Sequence, residues 1–136
     1  MKRLSQSQIL LFHQELIDRF GGVQGVRDEG LLDSALNAPF QTFAGNDLYP
    51  SILEKAAKLG YGIVSNPPFV DGNKRIGTLA MMTFLKINGI SLAYTHEELI
   101  DVILDVASGA LSCNDLLQWL ANHLDAEIPI KQRRLL

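Results

Sequence analysis

The stretch Asn66-Pro67-Pro68-Phe69-Val70-Asp71-Gly72-Asn73-Lys74-Arg75 runs directly into Ile76-Gly77-Thr78-Leu79-Ala80-Met81-Met82-Thr83-Phe84-Leu85-Lys86-Ile87-Asn88-Gly89. The first half reads as a loop. Pro67 and Pro68 stiffen it and hold Asn66 extended, and an acidic residue, a Gly-Asn turn and two cations follow. The second half reads as a helix over about 73–87, closed by Asn88-Gly89 as a left-handed C-cap. Its apolar residues lie almost all round, so it is expected to be buried on most sides, at the centre of an all-α bundle.

Outward from that helix the apolar spacing stays helical. Ser7 is expected to cap a first helix carrying Ile9, Leu10, Phe12, Leu16, Ile17 and Phe20, stopped by Gly21-Gly22. Asp28 and Glu29 suit the first turn of a second helix that ends near Pro39. The stretch from Phe40 to Tyr49 has turn chemistry at Gly45-Asn46 and is expected to form a short hairpin or flap. A third helix is expected over about 51–64. Thr95 and Glu98 make a capping box for a fifth, ending near Gly109. Ser112 or Asn114 opens a sixth, in which Trp119 takes a core position beside Leu116 and Leu120.

The 136 residues suit a single domain, with 125–136 as a peripheral tail. Apolar residues make up 47%, enough for a core without disulfides. The lone cysteine, Cys113, reads as a small core residue. A formal charge of −3, spread along the chain, argues against a nucleic-acid partner. Lys131, Arg133 and Arg134 read as a solvated tail. No stretch approaches a membrane span or a signal segment, so a soluble cytoplasmic protein is expected. The sequence leaves the oligomeric state undetermined.

Two readings of the loop stand side by side. Helix N-termini present unpaired N–H groups and the positive end of the dipole, and so attract anions. Lys74 and Arg75 in a first turn are mildly disfavoured by the same dipole, which makes more sense with an anion present. Gly72 permits close backbone approach, Arg75 can clamp phosphate oxygens, Lys74 adds a point charge, and Asp71 can hold Mg²⁺. In the plainer reading Asp71 or Asn73 is an N-cap and the cations are solvated. Phe69 is a core anchor for the loop in both.

Pro68, Phe69, Asp71, Gly72, Asn73, Lys74 and Arg75 resemble the signature of the Fic/Doc (death-on-curing) family, in register. The Asn-Lys-Arg ending is similar to the Doc branch. Phe20-Gly21-Gly22, the run from Gly25 to Leu32 with Ser34-Ala35-Leu36, and Phe84-Leu85 with Asn88-Gly89 extend the resemblance to about residue 124. It implies a compact bundle of about six helices that transfers part of ATP to a protein hydroxyl. Doc proteins transfer the terminal phosphate, with elongation factor Tu as the known type of target. Carried over, Asp71 binds Mg²⁺, Gly72, Asn73 and Lys74 form an anion nest, and Lys74 and Arg75 hold phosphates. Lys74 in place of a glycine favours phosphate over AMP transfer.

The family's catalytic histidine falls at position 67, where this chain has Pro67. Proline has no titratable group, so the chain is expected to be inactive or impaired. A positioned base contributes roughly 10²–10⁴-fold to rate. His and Pro codons differ by one base, so the change fits inactivation of a toxic enzyme; a natural pseudoenzyme that binds nucleotide or protein fits as well, and a Fic-type AMP transferase is the remaining alternative. His13, His96 and His123 read as surface or capping residues rather than replacement bases. The inhibitory pattern of many Fic-type proteins is absent, since Glu29-Gly30 is preceded four residues earlier by Gly25. Restraint is therefore expected from a separate antitoxin, whose disordered tail lays an amphipathic helix into a groove. The segment 40–49 is assigned as the flap that positions the target.

Overall fold

The computed structural model describes residues 1–125, so the expectation of a peripheral tail lies almost wholly outside the described residues. Among the described residues six α-helices follow one another: α1 (Gln6–Phe20), α2 (Glu29–Asn37), α3 (Ile52–Ser65), α4 (Asn73–Ile87), α5 (His96–Ser108) and α6 (Cys113–Asn122). A 3-10 turn (Ala38–Phe40) and a two-stranded hairpin, β1 (Thr42–Phe43) and β2 (Asn46–Asp47), separate α2 from α3. The fold is all-α, and α4 has the bounds its apolar pattern predicts.

The centre is shared between two helices. α4 buries Ile76, Gly77, Ala80, Met81, Phe84 and Leu85. α3 buries a longer face, from Leu53 through Ala57, Leu59 and Ile63 to Val64, and touches α2, α4, α5, α6 and the 3-10 turn. The two cross closely where both carry glycine. A Cβ on Gly77 would lie 2.6 Å from Val64 Cγ2, and one on Gly60 would lie 2.8 Å from Met81 Sδ. No larger residue fits either place without moving its neighbour.

Capping explains most of the helix starts. The first helix is capped by Ser5, not by Ser7: Gln8 N–H donates to Ser5 Oγ at 3.1 Å, and Ser5 N–H donates to Gln8 Oε1 at 2.8 Å. The reciprocal box needs a side-chain acceptor three residues on, which Ser5 has in Gln8 and Ser7, with Leu10 there, lacks. Thr95 and Glu98 form the box expected of them, and Ser112, with Asp115, opens α6. Trp119 is only half-buried and stacks on His123 with centroids 4.0 Å apart. His123 bridges Trp119 O at 2.7 Å and Glu98 Oε2 at 2.5 Å, tying the end of α6 to the start of α5.

The hairpin between Phe40 and Tyr49 forms as expected, but its turn lies one residue earlier. Phe43 pairs with Asn46, leaving Ala44 (φ 51°) and Gly45 (φ 82°) as the central residues. Two positive φ values give the turn twist that suits a two-residue hairpin. The hairpin is fastened by Lys55, a lysine only 3% exposed on α3. Its ammonium donates to Pro39 O at 3.4 Å, to Asp47 Oδ2 at 3.2 Å and to Tyr49 O. Three acceptors match the three N–H bonds of a buried ammonium.

Filling the α3–α4 crossing should break it. Gly77→Val adds a β-branched side chain whose helix propensity is only slightly better than that of glycine, against a clash with Val64. It is expected to destabilise the protein by about 2 kcal/mol or more, read by urea unfolding. An unchanged midpoint would show that the crossing has slack.

Candidate functional site

The loop 66–72 joins the two central helices and is held from three directions. Phe69 is 1% exposed, and its ring stacks on His13 of α1 at 3.8 Å and 11°. The segment before α2 holds the second side. Arg27 N–H and Asp28 N–H donate to Pro68 O at 2.7 and 3.0 Å, and Val70 N–H donates to Gly25 O at 3.0 Å. Arg27 also donates from Nε to Pro67 O at 3.0 Å, and from Nη2 to the same oxygen. The third hold comes from within. Phe69 N–H donates to Asn73 Oδ1 at 2.9 Å, and Asn73 Nδ2 donates to Phe69 O at 3.0 Å. Asn73 therefore spends its side chain on closing the loop, and only its backbone N–H faces the helix start.

Asp71 is exposed at the rim, and its carboxylate bridges two backbone donors. Gly72 N–H donates to Oδ1 at 2.8 Å and Val23 N–H to Oδ2 at 3.1 Å. These two bonds, with a smaller contribution from Arg75, hold the carboxyl below its ordinary pKa of 3.8. Gly22 leaves the room this requires, since a Cβ there would lie 2.6 Å from Asp71 Oδ2. The Asp71 carbonyl turns the other way and accepts from His13 Nε2 at 2.8 Å.

Gly72 is the N-cap of α4, at φ 73° and ψ 17°. This corrects the plainer reading of the loop, in which Asp71 or Asn73 caps the helix. Asp71 is committed to Gly72 and Val23, and Asn73 is already the first helical residue. Side chains of Ser5, Asp28, Ser51, Thr95 and Ser112 cap α1, α2, α3, α5 and α6, whereas α4 has no side-chain cap. Nor does an acidic residue sit in its first turn. Its opening N–H groups are left for water or a ligand, with Lys74 and Arg75 exposed beside them. The Arg75 guanidinium lies 4.9 Å from the Phe20 ring centroid.

Lys74 and Arg75 also form the cationic end of a groove of about 590 Å³ between α1, α4 and α5. Its floor is apolar, from Leu16, Leu79, Met82 and Ile103 among others.

The structure thus brings Asp71, Gly72, Lys74 and Arg75 together, with Phe69 as the expected anchor beneath. Pro67 stands beside Arg27, engaged through its carbonyl. Two residues of the site escaped the sequence reading. His13 is 3% exposed rather than a surface or capping residue. It sits midway between Ile9 and Ile17, the other buried residues of α1, and that four-residue spacing was the available signal. Arg27 had none, because its side chain's partner is a single carbonyl oxygen forty residues away in the chain. His96 is exposed at the start of α5, as expected.

Among the described residues no group of three or more His, Cys, Asp or Glu side chains could cage a metal. A single charged carboxylate can serve Mg²⁺, which keeps several waters and takes further oxygens from phosphates. Asp71, anionic and exposed, fits that chemistry.

A sequence model of the Fic/DOC family matches residues 3–85. The chain is 50% identical over 74 residues to a protein of Mycolicibacterium smegmatis named Toxin Doc, an alignment that covers 54% of this chain and 57% of that protein. It is 24% identical over 120 residues to the protein of Escherichia phage P1 named Protein kinase doc, covering 88% of this chain and 94% of the relative.

Two outcomes are expected of the loop. Phe69→Ala should cost about 3–5 kcal/mol in thermal or urea unfolding, the cost of removing a fully buried aromatic ring. In an NMR pH titration the Val23 amide should report an Asp71 pKa below 3.8. Because the folded pKa is depressed, the stabilisation from this contact is complete above the unfolded value and is lost as pH falls through the folded one. A Val23 titration at or above 3.8 would show that the carboxylate is not held as described.

Proposed function

The chain belongs to the Fic/DOC family, and from that membership we propose that it is a Doc-like toxin whose site takes Mg-ATP to phosphorylate a Ser or Thr hydroxyl of a target protein, in a form disarmed by Pro67. The observation that carries the reading is the start of α4. It has no side-chain cap, is set at a left-handed glycine, is flanked by Asp71, Lys74 and Arg75, and is held rigid from three sides even though residue 67 has no acid–base group. The names of the smegmatis and phage P1 relatives, a toxin and a protein kinase, point the same way. A translation factor such as elongation factor Tu is the expected class of target.

In this reading the N–H groups of Asn73 and Lys74, with the Lys74 and Arg75 side chains, receive phosphate oxygens and neutralise charge as it develops. Asp71 would hold Mg²⁺, which would supply positive charge to offset that of the phosphates. The hydroxyl of the target needs a proton acceptor at position 67. Pro67 offers only a carbonyl oxygen, and Arg27 already donates to it twice. Binding persists and transfer is lost. Restraint of an active form falls to an antitoxin. The groove between α1, α4 and α5 suits an amphipathic helix with apolar residues for its floor and a carboxylate for Lys74 and Arg75. An added charge in the groove, as in Leu104→Glu, should abolish antitoxin capture and leave Mg-ATP binding intact; retained capture would place the antitoxin elsewhere.

The deciding experiment compares the chain with its Pro67→His variant, each incubated with Mg-ATP and a bacterial extract, with modified proteins identified by mass spectrometry. Phosphate on a Ser or Thr of a translation factor is expected with the variant, at a rate about 10²–10⁴-fold above the parent. An added AMP would assign the Fic-type reaction instead. No modification by either protein would overturn the enzyme reading in favour of a binding module. Lys74→Ala should weaken Mg-ATP binding roughly tenfold or more, the loss of a charge-assisted contact.

A further inference from the structure

We infer that His13 is a positioning residue for the anion site, fixing the orientation of the Asp71–Gly72 peptide. The functional part of this inference rests on the nucleotide reading above; the structural part does not.

His13 comes from α1, far in sequence from the loop, yet its one ring touches two points of the loop's second half, Phe69 and Asp71. Its face stacks on Phe69 at 3.8 Å, and its Nε2 meets Asp71 O at 2.8 Å. A carbonyl oxygen only accepts, so Nε2 carries the proton. That nitrogen is therefore a donor and not a base. A plain core histidine would account for the burial but not for the bond, because the bonded carbonyl belongs to the turn that sets up α4.

The consequence follows from peptide geometry. In a trans peptide the C=O and the following N–H point in opposite directions. When His13 draws the Asp71 carbonyl toward α1, the Gly72 N–H is turned away from α1, where Asp71 Oδ1 accepts it at 2.8 Å. One hydrogen bond thus sets the peptide plane, the placement of the carboxylate and the left-handed Gly72 from which the N–H groups of α4 fan out. A Cβ on Gly72 would lie 3.7 Å from His13 Nε2, so the ring also walls the turn.

The test uses the chain as it stands, with two substitutions. His13→Phe keeps a ring against Phe69 and removes the donor. His13→Gln can keep a donor at the reach of Nε2. Amide hydrogen exchange is measured across the chain, and Mg-ATP affinity by calorimetry. His13→Phe is expected to speed exchange at residues 70–74 while the interiors of α3 and α4 keep their protection, and to weaken Mg-ATP binding about tenfold. His13→Gln is expected to recover a substantial part of both. Unchanged exchange at 70–74, or a loss of protection spread evenly over the chain, would overturn the inference and leave His13 as core filling. If no protein in the set binds Mg-ATP, the nucleotide reading fails, and exchange at 70–74 alone decides whether His13 positions the turn. Local loosening with unchanged affinity would overturn the functional part.

Discussion

The close crossing of α3 and α4 is the constraint on which the rest of the molecule depends. Gly60 and Gly77 let the two backbones approach with side-chain methyl and sulfur atoms where a Cβ would otherwise stand. Only residues 66–72 connect the two helices, so the crossing dictates where that connection starts and ends. A loop this short satisfies only part of its backbone locally, through the Asn73 side chain on Phe69 and the Asp71 carboxylate on Gly72 N–H. Neighbours satisfy the rest: the N–H groups of Arg27 and Asp28 donate to the Pro68 carbonyl, Val70 N–H donates to Gly25 O, and His13 donates to the Asp71 carbonyl. The site is stiff because these partners belong to α1 and to the segment entering α2, both packed against the same core.

The electrostatics of the start of α4 run against ordinary helix design. Five helices satisfy their first N–H groups with Ser, Thr or Asp side chains, and α4 presents cations at its positive end. Such a terminus is held at a cost in local stability. The nearest carboxylate, Asp71, lies outside the helix and is turned onto Gly72 and Val23. It neutralises the turn without covering the N–H groups of the helix itself. An acidic cap would stabilise the helix and close the site.

Elements with strong local signals were legible from the chain. The all-round apolar pattern gave α4 its bounds, Thr95 with Glu98 announced α5, and Phe69, Asp71, Gly72, Lys74 and Arg75 stand together as read. What escaped the reading depends on partners distant in sequence, or on a choice between equivalent neighbours. Ser5 and Ser7 both suit a cap, and the Gln three residues beyond Ser5 decides between them. His13 is a polar residue within an apolar stripe, and its reason lies on another helix. Arg27 recognises carbonyl oxygens, which every residue has, so no side-chain pattern could have flagged it. Asn73 suits an anion nest or an N-cap when read from the chain, and its side chain instead closes the loop.

Position 67 is engaged by the fold through its carbonyl oxygen, which Arg27 holds. Every amino acid supplies that oxygen. Apart from the stiffness that a proline adds, Arg27's hold on this position does not depend on the side chain placed there. A substitution at such a position leaves the holds on Phe69, Asp71 and Asn73 in place. It is also easily reversed: proline and histidine codons differ by one base, and nothing else in the loop has to change with it. Residue 67 can thus vary while the frame around it is kept.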